Sequence, residues 1–344
     1  TVGFPKTCDF QVQIHAFAFS ENQIRTVRLP DYTEVVQKHA FILNPGVEAC
    51  PADAPEDEKT KGGIVYMYTD NAKLANMERI HHIGRSAESQ HSWHQKLVVG
   101  SRPVEEGEWS IDDFTVDGTT ITGLSESGIK KRKLNKELIL PDKNKAGQYI
   151  TELADTGSIT GLFTTEEEKF TGVVLPVAIE RIGNRAFMES GLTGNIKFPS
   201  TLKEVGLAAF QNNSLTSVVL PDSVTTLGGG AFGTNPKLNT VVLSKNLKEI
   251  APGAFGSSDK SHWMENLTQL VIPKGITKIG NNAFAGNNIK KIEIPSTVTE
   301  IGEYAFSTKN YLKDECTVIL PEGLKSIGKM AFRNKVIKEV ELPS

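Results

Sequence analysis

Cysteine is almost missing from this 344-residue chain, which has only Cys8, Cys50 and Cys316. So few, and odd in number, they exclude a disulfide framework as the source of stability. Cys8 and Cys50 both fall outside predicted strands and stand either bridged in an oxidising compartment or as free thiols. Cys316 opens a predicted strand with no His or Asp placed in sequence to activate it, so it is read as structural. Charge imbalance is also missing: 38 Lys and Arg against 41 Asp and Glu leave a net charge of −3. That argues against nucleic acid or an anionic membrane surface as the main partner. No apolar run reaches the ~18 residues that a membrane-spanning helix needs. Phosphate-cradling glycine loops, nucleophile elbows and paired acid/base arrangements are missing too, and Gly228-Gly229-Gly230 has no following Lys-Ser/Thr. No catalytic residues and no cofactor are therefore expected.

What the chain does have is one line written again and again from Phe170 to Ser344. Ile292-Glu293-Ile294-Pro295 is followed by Val298, Ile301, Gly302 and then Ala305-Phe306. The anchors Pro176, Pro199, Pro221, Ser244, Pro273, Pro295 and Pro321 each lie eleven residues before a phenylalanine. Those phenylalanines are Phe187, Phe210, Phe232, Phe255, Phe284, Phe306 and Phe332. Self-similarity at a period of about 23 residues defines a solenoid. In each coil the residues before the proline alternate apolar and polar as a short strand, and proline ends it because it cannot donate to a ladder. Strands recurring once per coil run parallel and are expected to form a continuous sheet. The two later apolar residues, the alanine and the phenylalanine point inward on the return half. Glycine seven after the anchor implies either positive φ or close packing. Asn213, Asn235 and Asn287, three after a phenylalanine, are placed to bond turn backbone through their amides.

This line resembles the BspA-type leucine-rich repeat of bacterial surface proteins over about half the chain. The resemblance implies a curved leucine-rich-repeat solenoid, β-dominated within the α/β-type repeat folds. Its parallel sheet would lie on the concave side, with short strands or irregular turns opposite. It also implies an exported, non-enzymatic binding or adhesion module, and names no ligand.

The pattern extends towards the N-terminus. Ile24 to Pro30 matches Ile289 to Pro295, and Ile14 to Phe19 overlays Ile279 to Phe284, making His15 and His39 coil positions. Pro45 to Gly63 reads as an exposed insertion, and Ile64 to Tyr68 and Leu97 to Val99 as strands. These organise the chain as residues 1–108, an N-terminal repeat block with an irregular insertion, and 109–344, a hairpin and helix leading into the regular array. Asp117-Gly118 signals a hairpin, Ser125 to Asn135 a short lysine-rich helix, and Leu138 to Pro141 a strand. Together they would cover the apolar edge of the first coil. The run to Lys169 reads as a polar excursion, with Phe163 off the pattern. Later coils carry insertions at Gly256 to Glu265 and Ser307 to Glu315. The chain lacks an initiating Met and stops midway through a coil, so it is expected to be part of a longer protein.

Other clusters read as solvated surface. His81, His82, His91 and His94 lack zinc-ligand spacing, and no metal site is expected there. Lys130 to Lys133 and Glu166 to Glu168 are exposed charge, and Asp112, Asp113 and Asp117 lack the spacing of a calcium loop. The candidate contact surface is the outward row of the sheet. Two before the anchor stand Val219, Val242 and Val271, and four before it Ser217, Thr240 and Gln269, a small apolar ladder with a polar rim. β-Branched residues also simply suit an exposed strand, which is the competing explanation of that row. The expected partner is a host or neighbouring-cell protein or glycan. The rival readings are a structural stalk, and an enzyme with its site in residues 45–169.

Overall fold

The structure is a computed structural model. It describes residues 108–257, 266–308 and 315–337 almost without interruption, together with the short strands of the N-terminal part. Cys8, Cys50, His15, His39, the cluster from His81 to His94 and most of both later insertions lie outside the described residues. The chain divides into two compact units, Thr1–Glu105 and Glu106–Ser344.

In the first unit β1 (Val12–Ile14) pairs in parallel with β3 (Thr33–Val36), which sets Ile14 opposite Val36. This is the register expected if Ile14 and Val36 hold the same place in successive coils. A second parallel set joins β2 (Thr26–Arg28), β4 (Val65–Thr69) and β5 (Gln95–Val99), with Val27 facing Met67 and Met67 facing Leu97.

The second unit is a parallel β-solenoid. It opens with the expected hairpin, β6 (Phe114–Asp117) and β7 (Thr120–Leu124), turning at Gly118 with φ 56°. The helix α1 (Glu126–Lys131) is shorter than its sequence signal, and the Ser125 side chain caps it by accepting from the Gly128 N–H. Gly128 sits against the Asp113 backbone, so the helix packs directly on the hairpin base.

The regular coils then contribute to two sheets, the coil of Pro273 to the return side alone. The anchor-side strands are β8 (Glu137–Ile139), β10 (Gly172–Val174), β12 (Thr193–Asn195), β14 (Ser214–Val219), β16 (Thr240–Val242), β19 (Lys291–Glu293) and β21 (Thr317–Ile319). The return-side strands are two residues each: β9 (Glu152–Leu153), β11 (Arg181–Ile182), β13 (Glu204–Val205), β15 (Thr226–Leu227), β17 (Glu249–Ile250), β18 (Lys278–Ile279), β20 (Glu300–Ile301) and β22 (Ser326–Ile327). The return side is the more continuous, in a six-stranded and a four-stranded sheet. The anchor side, expected as one sheet, is divided into β8–β10, β12–β14–β16 and β19–β21.

Between the sheets runs the phenylalanine column. Phe187, Phe210, Phe232, Phe255, Phe284, Phe306 and Phe332 stack at centroid separations of 5.1 to 5.7 Å. Phe163 corrects the sequence reading. It is buried and continues the column, 5.5 Å from Phe187, then meets Phe114 edge-on. The stretch before Lys169 is thus the return half of an irregular coil. The repeated glycine serves close packing: a Cβ on Gly206 would lie 2.7 Å from the Asn184 backbone nitrogen. Asn213 and Asn235 are buried, and each amide donates to phenylalanine carbonyls of its own and the preceding coil. Their Oδ1 atoms accept from the N–H groups of Leu192 and Leu215, which satisfies turn backbone that the core would otherwise orphan.

Candidate functional site

The alternation that buries Val218 and Leu220 sends Val219 outward, and the same holds for Val242 between Val241 and Leu243. Val219 and Val242 are directly opposite in the parallel register of β14 and β16, as are Ser217 and Thr240. Both valines stand about half exposed, at 51% and 48%. Strands in such a ladder lie roughly 4.8 Å apart, so the two side chains form one apolar surface.

Val271 and Gln269 do not join that ladder. Both are exposed, Val271 at 81%, but Leu267 to Ile272 forms no strand and β16 ends the three-stranded sheet. In sequence this coil follows the insertion at Gly256 to Glu265. The patch is therefore the Val219–Val242 pair with Ser217 and Thr240 on its rim. Val271 is a separate exposed valine in the next coil.

The outward row also extends towards the N-terminus beyond Val219 and Val242. Ile139, two before Pro141, faces Val174 in the β8–β10 ladder, and both are exposed. The signal was present, since Leu138-Ile139-Leu140-Pro141 has the anchor pattern. Lys197 and Glu293 hold the same position in other coils and interrupt the row.

The return side has the opposite chemistry. Its outward residues run Glu152, Arg181, Glu204 in one register and Glu249, Lys278, Glu300 in another. Arg181 meets Glu152 at 2.6 Å, Asp155 at 2.5 Å and Glu204 at 3.2 Å, and Lys278 meets Glu300 at 3.2 Å. Burial opposes the charge on Asp155, but the Asn184 N–H and Arg181 hold its carboxyl below the usual range. Such exposed pairs solvate a surface and contribute little to stability. Among the described residues no three His, Cys, Asp or Glu side chains group as metal ligands. No described helix is long and apolar enough to cross a membrane.

Cys316 is buried, its Sγ 3.4 Å from the Ile289 carbonyl oxygen, and burial pushes its thiol up. A raised thiol is a poor nucleophile, in keeping with a structural role.

Residues 161–263 and 262–344 match the BspA type leucine-rich repeat region in six copies. Among solved structures the chain is similar to a leucine-rich repeat protein from Bacteroides ovatus ATCC 8483, with TM-score 0.43 and 18% identity over 66% of this chain and 68% of that one. It is similar to the pneumococcal vaccine antigen PcpA, with TM-score 0.42 and 20% identity over 67% of each chain. A leucine-rich cell surface protein from Faecalibacterium prausnitzii A2-165 gives TM-score 0.38 and 22% identity over 67% of this chain and 74% of that one. No curated protein matches. With matched repeats over more than half its length, the chain belongs to the BspA-type leucine-rich repeat family.

Proposed function

We propose that the chain is a non-enzymatic binding module of a bacterial surface protein, and that it docks a host or neighbouring-cell protein on the anchor-side sheet around Val219 and Val242. The observation that carries this reading is the contrast between the two sheets of one solenoid. Both meet water, yet one bears carboxylates and cations interlocked across coils. On the other, β14 and β16 pair half-exposed valines with hydroxyls at the rim, the charged pair Lys291–Glu293 standing apart on β19. β-Strand preference alone does not separate them, because both faces are strands of the same coils. Aliphatic surface removed from water on contact is worth about 25 cal/mol per Å², so this side gains most from a partner. Family membership supports the export that such a module needs.

The test is Val219→Lys with Val242→Glu. Opposite charges across the ladder preserve the strand pair while abolishing the apolar surface. Binding to immobilised host extracellular-matrix proteins is measured by interferometry, with circular dichroism confirming the fold. Loss of binding in the folded variant is expected. Binding at the parent level removes this sheet as the docking surface.

A further inference from the structure

Away from both sheets, the turns on either side of the column phenylalanines enclose a shallow depression of about 400 Å³. Two successive coils open it by placing glycine where others carry side chains, at Gly230 and then at Gly253 and Gly256. The column that holds Gly230 and Gly253 is left-handed throughout, at φ 63° and 64° there and 56° at Asn282. The coils on either side supply the walls, Gln211 and Asn212 from one and Asn281 and Asn282 from the other. The walls are three coil steps apart, roughly 14 Å at about 4.8 Å per step.

Every side-chain group lining this depression is neutral, in a chain of which 23% is charged. Its amides keep unused capacity. Asn212 donates to Glu189 at 2.9 Å and retains its carbonyl oxygen, while Asn281 accepts from the Glu303 N–H at 2.8 Å and retains its amide hydrogens. Among the described residues Gln211 and Asn282 make no side-chain hydrogen bond.

We infer that this depression is a second binding site, separate from the valine sheet, and that it takes a short neutral oligosaccharide. Free amides offer donors and acceptors together, which is what vicinal hydroxyls match. A charged ligand would be desolvated here with no counter-charge to meet it. The glycine floor admits a flat ring close to backbone, and the span between the walls suits a chain of a few sugar rings.

The probe is an array of neutral oligosaccharides ending in glucose, galactose or N-acetylglucosamine, beside sialylated and sulfated counterparts. Two variants accompany the parent. Gln211→Ala with Asn282→Gly removes an amide from each wall, and glycine keeps the left-handed backbone. Gly230→Asn fills the floor: a Cβ there meets nothing nearer than Gln211 at 3.8 Å, and asparagine tolerates left-handed φ. The parent is expected to bind neutral glycans, and each variant about tenfold or more weaker with unchanged melting. The Val219→Lys, Val242→Glu protein is expected to bind them like the parent, which separates this site from the docking sheet. A parent that binds no neutral glycan, a preference for acidic glycans, or undiminished binding by folded Gly230→Asn would overturn the assignment.

Discussion

At the scale of single residues the solenoid is most exacting where a coil leaves no room for a side chain. A Cβ on Gly302 would lie 2.5 Å from the Asn281 backbone nitrogen and 2.6 Å from the Gly280 carbonyl carbon, atoms that cannot swing aside. Gly302→Ala is therefore expected to cost about 2–3 kcal/mol in chemical denaturation, in the upper range for overpacking. An unchanged midpoint would show that the coils can part. Lys335 is the other demanding residue. It stands in the asparagine position after Phe332, nearly buried, with its Nζ donating to the carbonyls of Asn287 at 3.0 Å and Ile289 at 3.2 Å. Burial pushes its amine down to about 8, against a small opposing influence of Cys316. The unfolded lysine keeps its proton up to about 10.4. Between these values the unfolded chain binds more protons, so stability rises with pH through this window and is lowest below it. From pH 7 to pH 10 the parent should gain roughly 2–3 kcal/mol relative to Lys335→Met, at 1.36 kcal/mol per pKa unit. Parallel denaturation curves for the two proteins would contradict this.

At the scale of elements, the phenylalanine column and its N-terminal cover act as one unit. Phe163 is as buried as Phe232, so alanine at either position is expected to cost about 3–5 kcal/mol and to lower the melting midpoint equally. A clearly milder loss at Phe163 would detach it from the column. The sequence hid this residue because two insertions stretch its coil. Ile150 lies nine residues after Pro141 where three is usual, and Phe163 twenty-two where eleven is usual. A fixed-period reading cannot see a slot that has moved, although the fold restores it. The hairpin and helix were legible because Asp117-Gly118 and the Ser125 cap are local signals that need no register. What they do not reveal is the clasp between them. Asp113 is buried and accepts from Lys131 at 2.6 Å, from the Ser110 N–H at 2.7 Å and from Ser127 at 2.9 Å. Burial alone would raise its carboxyl, but these donors outweigh burial and hold it below the usual range. Its contribution is present above the unfolded carboxylate value and is lost as pH falls through the folded one. Asp113→Asn should destabilise by about 2–3 kcal/mol at pH 7, and the difference from the parent should shrink on acidification. A difference independent of pH would assign the effect to shape alone.

At the scale of the whole second unit, the repeat register was legible almost residue by residue, because one coil cannot bury its apolar positions without the next. Most inward positions from Leu138 to Ala331 are buried, and the coil of Pro321 departs from this, with Leu324 partly buried and Ile327 exposed. The break between β10 and β12 was not legible, because it falls between coils of regular spacing with nothing in the sequence to mark it. Nor was the break after β16, since an insertion has no period from which to judge whether the strand after it rejoins the ladder. The break after β16 leaves Val219 and Val242 in one ladder and Val271 apart. The glycines at 230, 253 and 256 stand in the sequence without a functional signal, and only the folded turns show that amides wall them in. The central claim is that the two sheets of this solenoid differ in function because they differ in chemistry. The most direct measurement compares matrix-protein binding by the parent, by Val219→Lys with Val242→Glu, and by Lys278→Glu with Glu300→Lys, which reverses one ion pair on the return side. Binding should be lost in the first variant and kept in the second, with both folded. Loss in the second with retention in the first would place the docking surface on the charged sheet and contradict the account.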